Sequence, residues 1–396
     1  MVRSPAEPAT VAPRVGRVAE IDLLRGLAAL MVVAFHYTYR GHLRDSFSPI
    51  GFTEVDGVTR YGYLGVGLFF FISGFVILRS AIATDVRGFA ISRVVRIYPA
   101  FWVACTATAL AVGLTHMQRV TPGSYLVNMT MLQELFHVQP VAGVYWTLTI
   151  ELRFYLLAAL AIAAGVIGRA RYVLPAWLIL AFVAGAGAVP LGLQQFLVAD
   201  WAPFFVAGAC CHLLAQQRRD PVVLVTLALA AVLSCRLAAI QATQMSQHTP
   251  TPISPTVAVV FTLVALLVVL AVALGVTRSL ARPWMVAVGA LSYPLYLVHE
   301  NLGYVAIRGL APFANRFIVL VVVTAGALGL AWALHRWVEV PVAPRMQALL
   351  RRGTVNPAGR RDIGGSHGRF PSGGSRSGDG EQPGREPTVV PAPVRR

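Results

Sequence analysis

Residues 256–276 read TVAVVFTLVALLVVLAVALGV, twenty-one residues without a single charge. At 1.5 Å of rise per residue a helix of that length covers about 31 Å, the thickness of the hydrocarbon core of a bilayer. Lipid offers the backbone no hydrogen-bond partner, and the run is far too long for a barrel strand, so it must be helical. Comparable runs fall at about 21–39, 62–80, 94–114, 144–167, 172–190, 196–215, 221–240, 284–308 and 316–338. The sequence therefore predicts an all-α, polytopic membrane protein of about ten transmembrane helices. Composition agrees: of 396 residues 56% are hydrophobic and 13% charged, and mean hydropathy is +0.65, whereas a soluble domain carries about 25% charged residues.

The 33 basic residues are all arginine, with no lysine, and the formal net charge is +16. Together with abundant Ala, Val, Gly and Pro this points to a GC-rich bacterial genome. The arginines cluster beside the ends of apolar runs, where the positive-inside bias puts them, and no nucleic-acid motif accompanies them, so no nucleic-acid partner is expected. One set of alternate loops holds Arg3, Arg14, Arg17, Arg79, Arg87, Arg93, Arg96, Arg169, Arg171, Arg218, Arg219, Arg278 and Arg282; the other holds Arg40, Arg44, Arg60, Arg119, Arg308 and Arg316. Thirteen against six predicts both termini on the cytoplasmic side of the plasma membrane. The long connections at about 40–61 and 115–143 then face outward, and SYLVNMTMLQELF (124–136) is expected to lie along the interface.

Residues 1–20 are polar and Pro-rich and read as a cytoplasmic segment without a cleaved signal peptide. The membrane domain is read as 21–341. Residues 342–396, rich in Arg, Gly and Pro, are expected to form a disordered cytoplasmic tail whose arginines rest on anionic lipid. Cys105, Cys210, Cys211 and Cys235 lie in apolar runs with no metal or redox spacing and read as packing residues, and no metal site is expected.

Within the first run, RGLAALMVVAFH (25–36) places an arginine and a histidine eleven residues apart, about 1,100° of helix, or three turns plus about 20°. Both project from one face, about 16 Å apart along the axis, with Arg25 at the cytoplasmic end and His36 inside the membrane. That suits a ligand with an anionic head and a reactive end reaching a base; equally, Arg25 can mark the membrane boundary and His36 can pack. Asp22, one turn before, can orient the guanidinium.

Other stretches share that double reading. Ser73-Gly74 in FFFISGF (69–75) lets a backbone or a ligand approach closely. Arg93 and Arg96 in SRVVRIYPAFW (92–102) stand one turn apart, as a positive-inside cluster or a phosphate site. Thr147, Glu151 and Tyr155 in VYWTLTIELRFYLL (144–157) form one polar stripe, with Arg153 pointing away; Glu151 is a buried structural ion-pair partner or a functional acid. LSYPLYLVHE (291–300) puts Tyr293, Tyr296 and His299 near one face, and HRWVEVP (335–341) places Glu339 where a loop arginine can pair with it.

In this order, IDLLRGLAAL…H, FFFISGFVI, RVVRIYPAFW, WTLTIELRFY, LSYPLYLVH and VEVP resemble acyltransferase family 3, membrane acyltransferases of ten helices that modify sugars and related hydroxyl groups. The likeness covers about residues 21–341. It implies transfer from acyl-CoA, acetyl-CoA first, with Arg25 and His36 as the essential pair, Arg93 and Arg96 on the CoA side and Glu151 needed for activity. Ser73 is grouped with the donor site, and Trp146, Tyr293 and His299 with the acceptor. Glu151 and His299 are expected to approach from the outer half, to hold the acceptor or orient His36, which is either a general base or transiently acylated. The family pattern usually has Ser where Thr147 stands.

Many members carry a fused extracytoplasmic esterase-like domain; none is read here, so the chain is expected to meet its acceptor directly or hand the acyl group to another protein. Surface or exopolysaccharide is the first acceptor class and a macrolide-type sugar the second; self-association is open. A proton-coupled transporter is the rival of another class, since intramembrane His and Glu also mark proton relays, but no inverted repeat of interrupted helices is visible. A sensor or scaffold acting through the arginine tail is a third.

Overall fold

The apolar runs fold as helices, and no strand occurs among the described residues; a computed structural model describes residues 18–216, 219–247, 249 and 251–352. The membrane helices are α1 (Ala19–Phe35), α2 (Gly65–Ile82), α3 (Val86–Leu114), α4 (Trp146–Ala163), α5 (Ala170–Val183), α6 (Ala202–Gln216), α7 (Pro221–Ser246), α8 (Pro255–Ala273), α9 (Pro283–Val298), α10 (Glu300–Leu310) and α11 (Arg316–Leu334), followed by α12 (Val340–Arg352). Among the described residues seven helical stretches, containing α2, α3, α4, α5, α7, α8 and α11, are long and apolar enough to cross a membrane by length and composition, and α6 and α9 are shorter apolar helices. The first predicted run is α1, whose opening turns carry Glu20, Asp22 and Arg25. Leu110, Val232, Leu267 and Val321 are exposed on the outside of the bundle, as a hydrocarbon solvent requires.

Several boundaries differ from the sequence reading. Helix α3 starts at Val86 rather than about residue 94, because the Asp85 carboxylate accepts the Gly88 N–H at 3.0 Å and caps the helix well before the apolar run. The ninth run is two helices that meet at His299. The predicted interfacial segment contributes one short helix, Pro122–Asn128, closed by a reciprocal capping box between Thr121 and Ser124. The tail, expected to be disordered from residue 342, opens as helix α12, and Arg87 donates to the Leu350 and Arg351 carbonyls at 3.0 and 3.1 Å. The tail beyond residue 352 and residues 1–17 of the N-terminal segment lie outside the described residues, while residues 19 and 20 of that segment already belong to α1. Cys105, Cys210 and Cys211 are buried and Cys235 is half-buried, all as free thiols.

Glycine decides which helices reach backbone contact. Helices α2 and α6 meet so closely that a Cβ on Gly74 would strike the Phe205 carbonyl and one on Gly208 the Phe71 carbonyl. Helices α1 and α9 approach in the same way, with Gly26 against Val288 and Gly289 against Asp22. Gly208→Val is therefore expected to destabilise the bundle by about 1–3 kcal/mol or more, because backbone cannot step aside as a side chain can. A lower melting temperature in detergent checks this, with Gly329→Val as control, since a Cβ at Gly329 meets nothing within 4 Å.

Candidate active site

Three cavities follow one another along α1, α2 and the facing helices. The inner one, about 420 Å³, opens beside the N-terminal half of α1 and is lined by Asp22, Arg25, Arg79, Ser80 and Arg96 among others. A narrow chamber of about 50 Å³ lies deeper, lined by Arg25, Ser73, Thr147, Glu151, Tyr293 and Tyr296 among others. At the opposite end is a vestibule of about 640 Å³, whose wall includes His36, Arg40, Trp146, Asp200, Trp201 and Glu300. Arg25 belongs to both the inner cavity and the chamber, while Val66 and Tyr296 belong to both the chamber and the vestibule.

The inner cavity gathers Arg25, Arg79 and Arg96 from three helices, a set able to hold a polyanion through charge-assisted hydrogen bonds. Arg96 also reaches Glu339 at 3.9 Å, and Glu339 in turn meets His335 at 2.7 Å, so the pairing expected for Glu339 is present, with a helix arginine as partner. Arg93 packs alongside: it donates to Ser80 at 3.3 Å and lies over the Phe89 and Tyr155 rings. In the sequence Arg79 reads only as a positive-inside residue. Its place in the cavity follows from the α2–α3 turn, which no spacing within one helix reveals.

In the chamber the polar stripe of α4 is used along its length. Thr147 meets the Tyr296 hydroxyl at 2.9 Å, and the Glu151 carboxylate accepts from Ser73 at 3.2 Å and from the Tyr155 hydroxyl. Tyr293 donates to the Ile97 carbonyl at 2.9 Å, tying α9 to α3. Glu151 therefore shares its surroundings with Arg25, and the carboxylate that meets His36 is a different one.

His36 stands where α1 widens into a π-turn, His36–Arg40, in which the Gly41 N–H bonds five residues back to the His36 carbonyl. Such turns carry one extra residue and recur at functional sites. Residues 25–35 remain α-helical, so the three turns between Arg25 and His36 hold. Three polar contacts hold the imidazole. Nδ1 lies 2.8 Å from the Val32 carbonyl and 3.3 Å from His299 Nε2, and Nε2 lies 3.5 Å from Glu300 Oε1.

His299, grouped in the sequence with the acceptor, is fully buried behind His36, its Nδ1 held by the Tyr296 and Leu295 carbonyls at 2.9 and 3.2 Å. Tyr37 secures the junction of α9 and α10 by donating to the His299 carbonyl at 2.7 Å. Glu300 ends the quoted LSYPLYLVHE stretch, where helical spacing sets it apart from the face of Tyr293, Tyr296 and His299. Among the described residues no three His, Cys, Asp or Glu are placed to hold a metal ion.

The vestibule has the makings of a site for a polar, ring-shaped ligand. Trp146 and Trp201 lie with ring centroids 5.3 Å apart, and Asp200, Gln241 and Gln244 add hydrogen-bonding groups to the same wall. Of the residues expected from sequence, His36 and Trp146 are here, Ser73, Glu151 and Tyr293 line the chamber, Arg25 and Arg96 line the inner cavity, Arg93 stands behind Ser80 of the inner cavity, and His299 stands behind His36 of the vestibule.

Comparison with known proteins gives two relatives and a family. A stretch of 156 residues is 32% identical to nodulation protein 10 of Rhizobium leguminosarum bv. viciae, covering 34% of this chain and 41% of that one. A second stretch, of 188 residues, is 28% identical to a protein of Acidianus two-tailed virus named acetyltransferase ORF330, covering 47% and 53%. The chain thus spans about half the length of the curated relatives it matches. No solved structure matches. The family model described as an acyltransferase domain matches residues 18–336, which include every cavity-lining arginine named above together with His36 and Glu300, and the chain belongs to that family.

Proposed function

We propose that this protein is a membrane-embedded O-acyltransferase of the plasma membrane that takes an acyl group, acetyl in the first instance, from acyl-CoA and passes it to a hydroxyl of a carbohydrate or glycoside. The observation that carries the reading is the file of cavities: arginines at one end, a buried imidazole at the other, and a narrow chamber between them. The phosphates of CoA suit Arg25, Arg79 and Arg96, and the pantetheine arm suits the chamber, which brings the thioester to His36. Arg25 and His36 lie about 16 Å apart along the helix, a span that an extended arm covers.

The acceptor then enters from the vestibule, where the tryptophan pair offers the apolar face on which a pyranose stacks, and Asp200 and Gln241 offer partners for its hydroxyls. His36 takes the proton of the attacking hydroxyl, the oxygen–carbon bond forms, the carbon–sulfur bond breaks, and the CoA thiolate takes the proton from His36. Positive-inside counting makes the donor side cytoplasmic and the acceptor side extracytoplasmic. A relative named as an acetyltransferase supports the choice of acetyl.

The test uses the purified full chain in sealed proteoliposomes, sorted by orientation, with radiolabelled acetyl-CoA and methyl β-D-glucopyranoside. Release of CoA is expected only where the arginine-lined face meets the donor, and faster with the glycoside than with water. Release that depends on donor at the vestibule face, or no release from either face, would overturn the reading.

A further inference from the structure

The hydrogen-bond chain behind His36 fixes which nitrogen accepts a proton. Carbonyl oxygens only accept, so His299 Nδ1, 2.9 Å from the Tyr296 carbonyl and 3.2 Å from that of Leu295, carries the ring proton. His299 Nε2 is then a lone pair, and it faces His36 Nδ1 at 3.3 Å. His36 Nδ1 also lies 2.8 Å from the Val32 carbonyl, so it carries the second proton and both of its neighbours accept from it. One donor chain, read from the carbonyls of α9 through two imidazoles, leaves the lone pair of His36 on Nε2, directed at the vestibule side where Glu300 stands.

Glu300 is built into that place. Its Oε2 accepts the Val144 N–H at 2.7 Å, and Gly143 leaves the room its carboxylate occupies: a Cβ on Gly143 would come within 2.6 Å of Oε1. His36 and Glu300 are 4% and 3% exposed, so little water screens them. Arg40, on the same π-turn and also lining the vestibule, has its Nε on both oxygens of Asp45, at 3.2 and 2.9 Å, and Tyr304 donates to Asp45 as well. The Arg40 guanidinium is thereby held by Asp45, and its charge also acts on the nearby Glu300.

We propose that Glu300 is the counter-charge of His36, a positioning residue whose stabilisation exists only after the imidazole has taken the acceptor proton. At rest the Nε2 lone pair faces a carboxyl oxygen of Glu300 across 3.5 Å without an ion pair. Once the acceptor O–H proton moves to Nε2, the same contact becomes an imidazolium–carboxylate pair. It lasts until the CoA thiolate takes the proton as the carbon–sulfur bond breaks. An interaction of this kind lowers the barrier without tightening the ground state. His299 acts one step further back, as the residue that holds the His36 tautomer.

This rests on the reading of His36 as the base, and the test separates the two. The purified full chain in nanodiscs is assayed for CoA release from acetyl-CoA, with water and with methyl β-D-glucopyranoside as acceptor. Glu300→Gln keeps an oxygen that can accept from Val144 N–H and removes only the charge. It is expected to lower kcat about 100-fold, with the KM for acetyl-CoA within about threefold of wild type and the melting temperature unchanged. Glu300→Asp, which keeps the charge, is expected to recover at least about a tenth of the wild-type kcat.

A Glu300→Gln enzyme with wild-type kcat would show that the carboxylate only tethers the 143–145 turn, and would overturn the proposal. Should the Gln variant not fold, Glu300→Asp decides alone, and a kcat as low as that of Glu300→Ala counts against it. A fully active His36→Ala enzyme, or a wild type that releases no CoA, would overturn the base reading itself. An inactive His36→Ala beside an active Glu300→Gln removes this proposal only.

Discussion

Replacing His36 by alanine is expected to lower acyl transfer by a factor of about 10² to 10⁴, the usual contribution of a general base, while the affinity for acetyl-CoA stays within about threefold of wild type. The separation follows from geometry. His36 is in the vestibule wall, whereas Arg25, Arg79 and Arg96 are in the inner cavity. Donor binding and proton removal are therefore carried by different ends of α1. The substitution also leaves Glu300 without its neighbour at 3.5 Å and His299 without the N–H that faces it, so some loss of stability accompanies it. Rates are compared on protein that elutes as one species, with donor affinity measured by isothermal titration of CoA. A His36→Ala enzyme that turns over at the wild-type rate would remove the imidazole from the chemistry. Loss of CoA binding in the same variant would mean that donor and base sites are not separate.

The parts of this arrangement that the sequence discloses are those set by one helix and its solvent. Apolar runs are legible because hydrocarbon tolerates no other backbone state. The Arg25–His36 stripe is legible because eleven residues close three turns, and α1 stays α-helical as far as Phe35. The Glu151 stripe of α4 is legible for the same reason, but its destination is not. Sequence alone places Glu151 in the outer half beside His36, whereas the helices bring it to the chamber that Arg25 also lines.

Glu300 stayed hidden for a related reason. In one continuous helix His299 and Glu300 point 100° apart, and a reading that turns one toward α1 turns the other away. His299 keeps helical φ and ψ (−72°, −42°) where α9 passes into α10, and the two side chains reach different nitrogens of His36, His299 facing Nδ1 and Glu300 facing Nε2, while the Val144 N–H that seats Glu300 comes from 156 residues away in the chain. The helical start of the tail is a different omission, since its Arg-rich composition hides the amphipathic turn that packs beside Arg87.

Arg25→Gln carries the second large effect. A guanidinium that holds a phosphate through charge-assisted hydrogen bonds contributes about 1.5–3 kcal/mol, so the KM for acetyl-CoA is expected to rise about 10- to 150-fold. Arg25→Lys should recover only part of this, because an ammonium cannot bridge two oxygens in one plane. A purely structural role makes a different prediction. Arg25 lines the same chamber as Glu151, and if its purpose were to balance that carboxylate, removing both charges should restore the enzyme. Ser73 and Tyr155 already donate to Glu151, so the carboxylate has two hydrogen-bond partners apart from any arginine. The double variant Arg25→Gln, Glu151→Gln is therefore expected to keep the raised KM for acetyl-CoA. Recovery of wild-type KM in the double variant, measured by CoA release in the same nanodiscs, would make Arg25 a partner of Glu151 rather than a ligand of the donor. Persistence of the defect assigns the inner end of the α1 stripe to the anionic head, because charge neutralisation within the chamber would then have been achieved without repairing it.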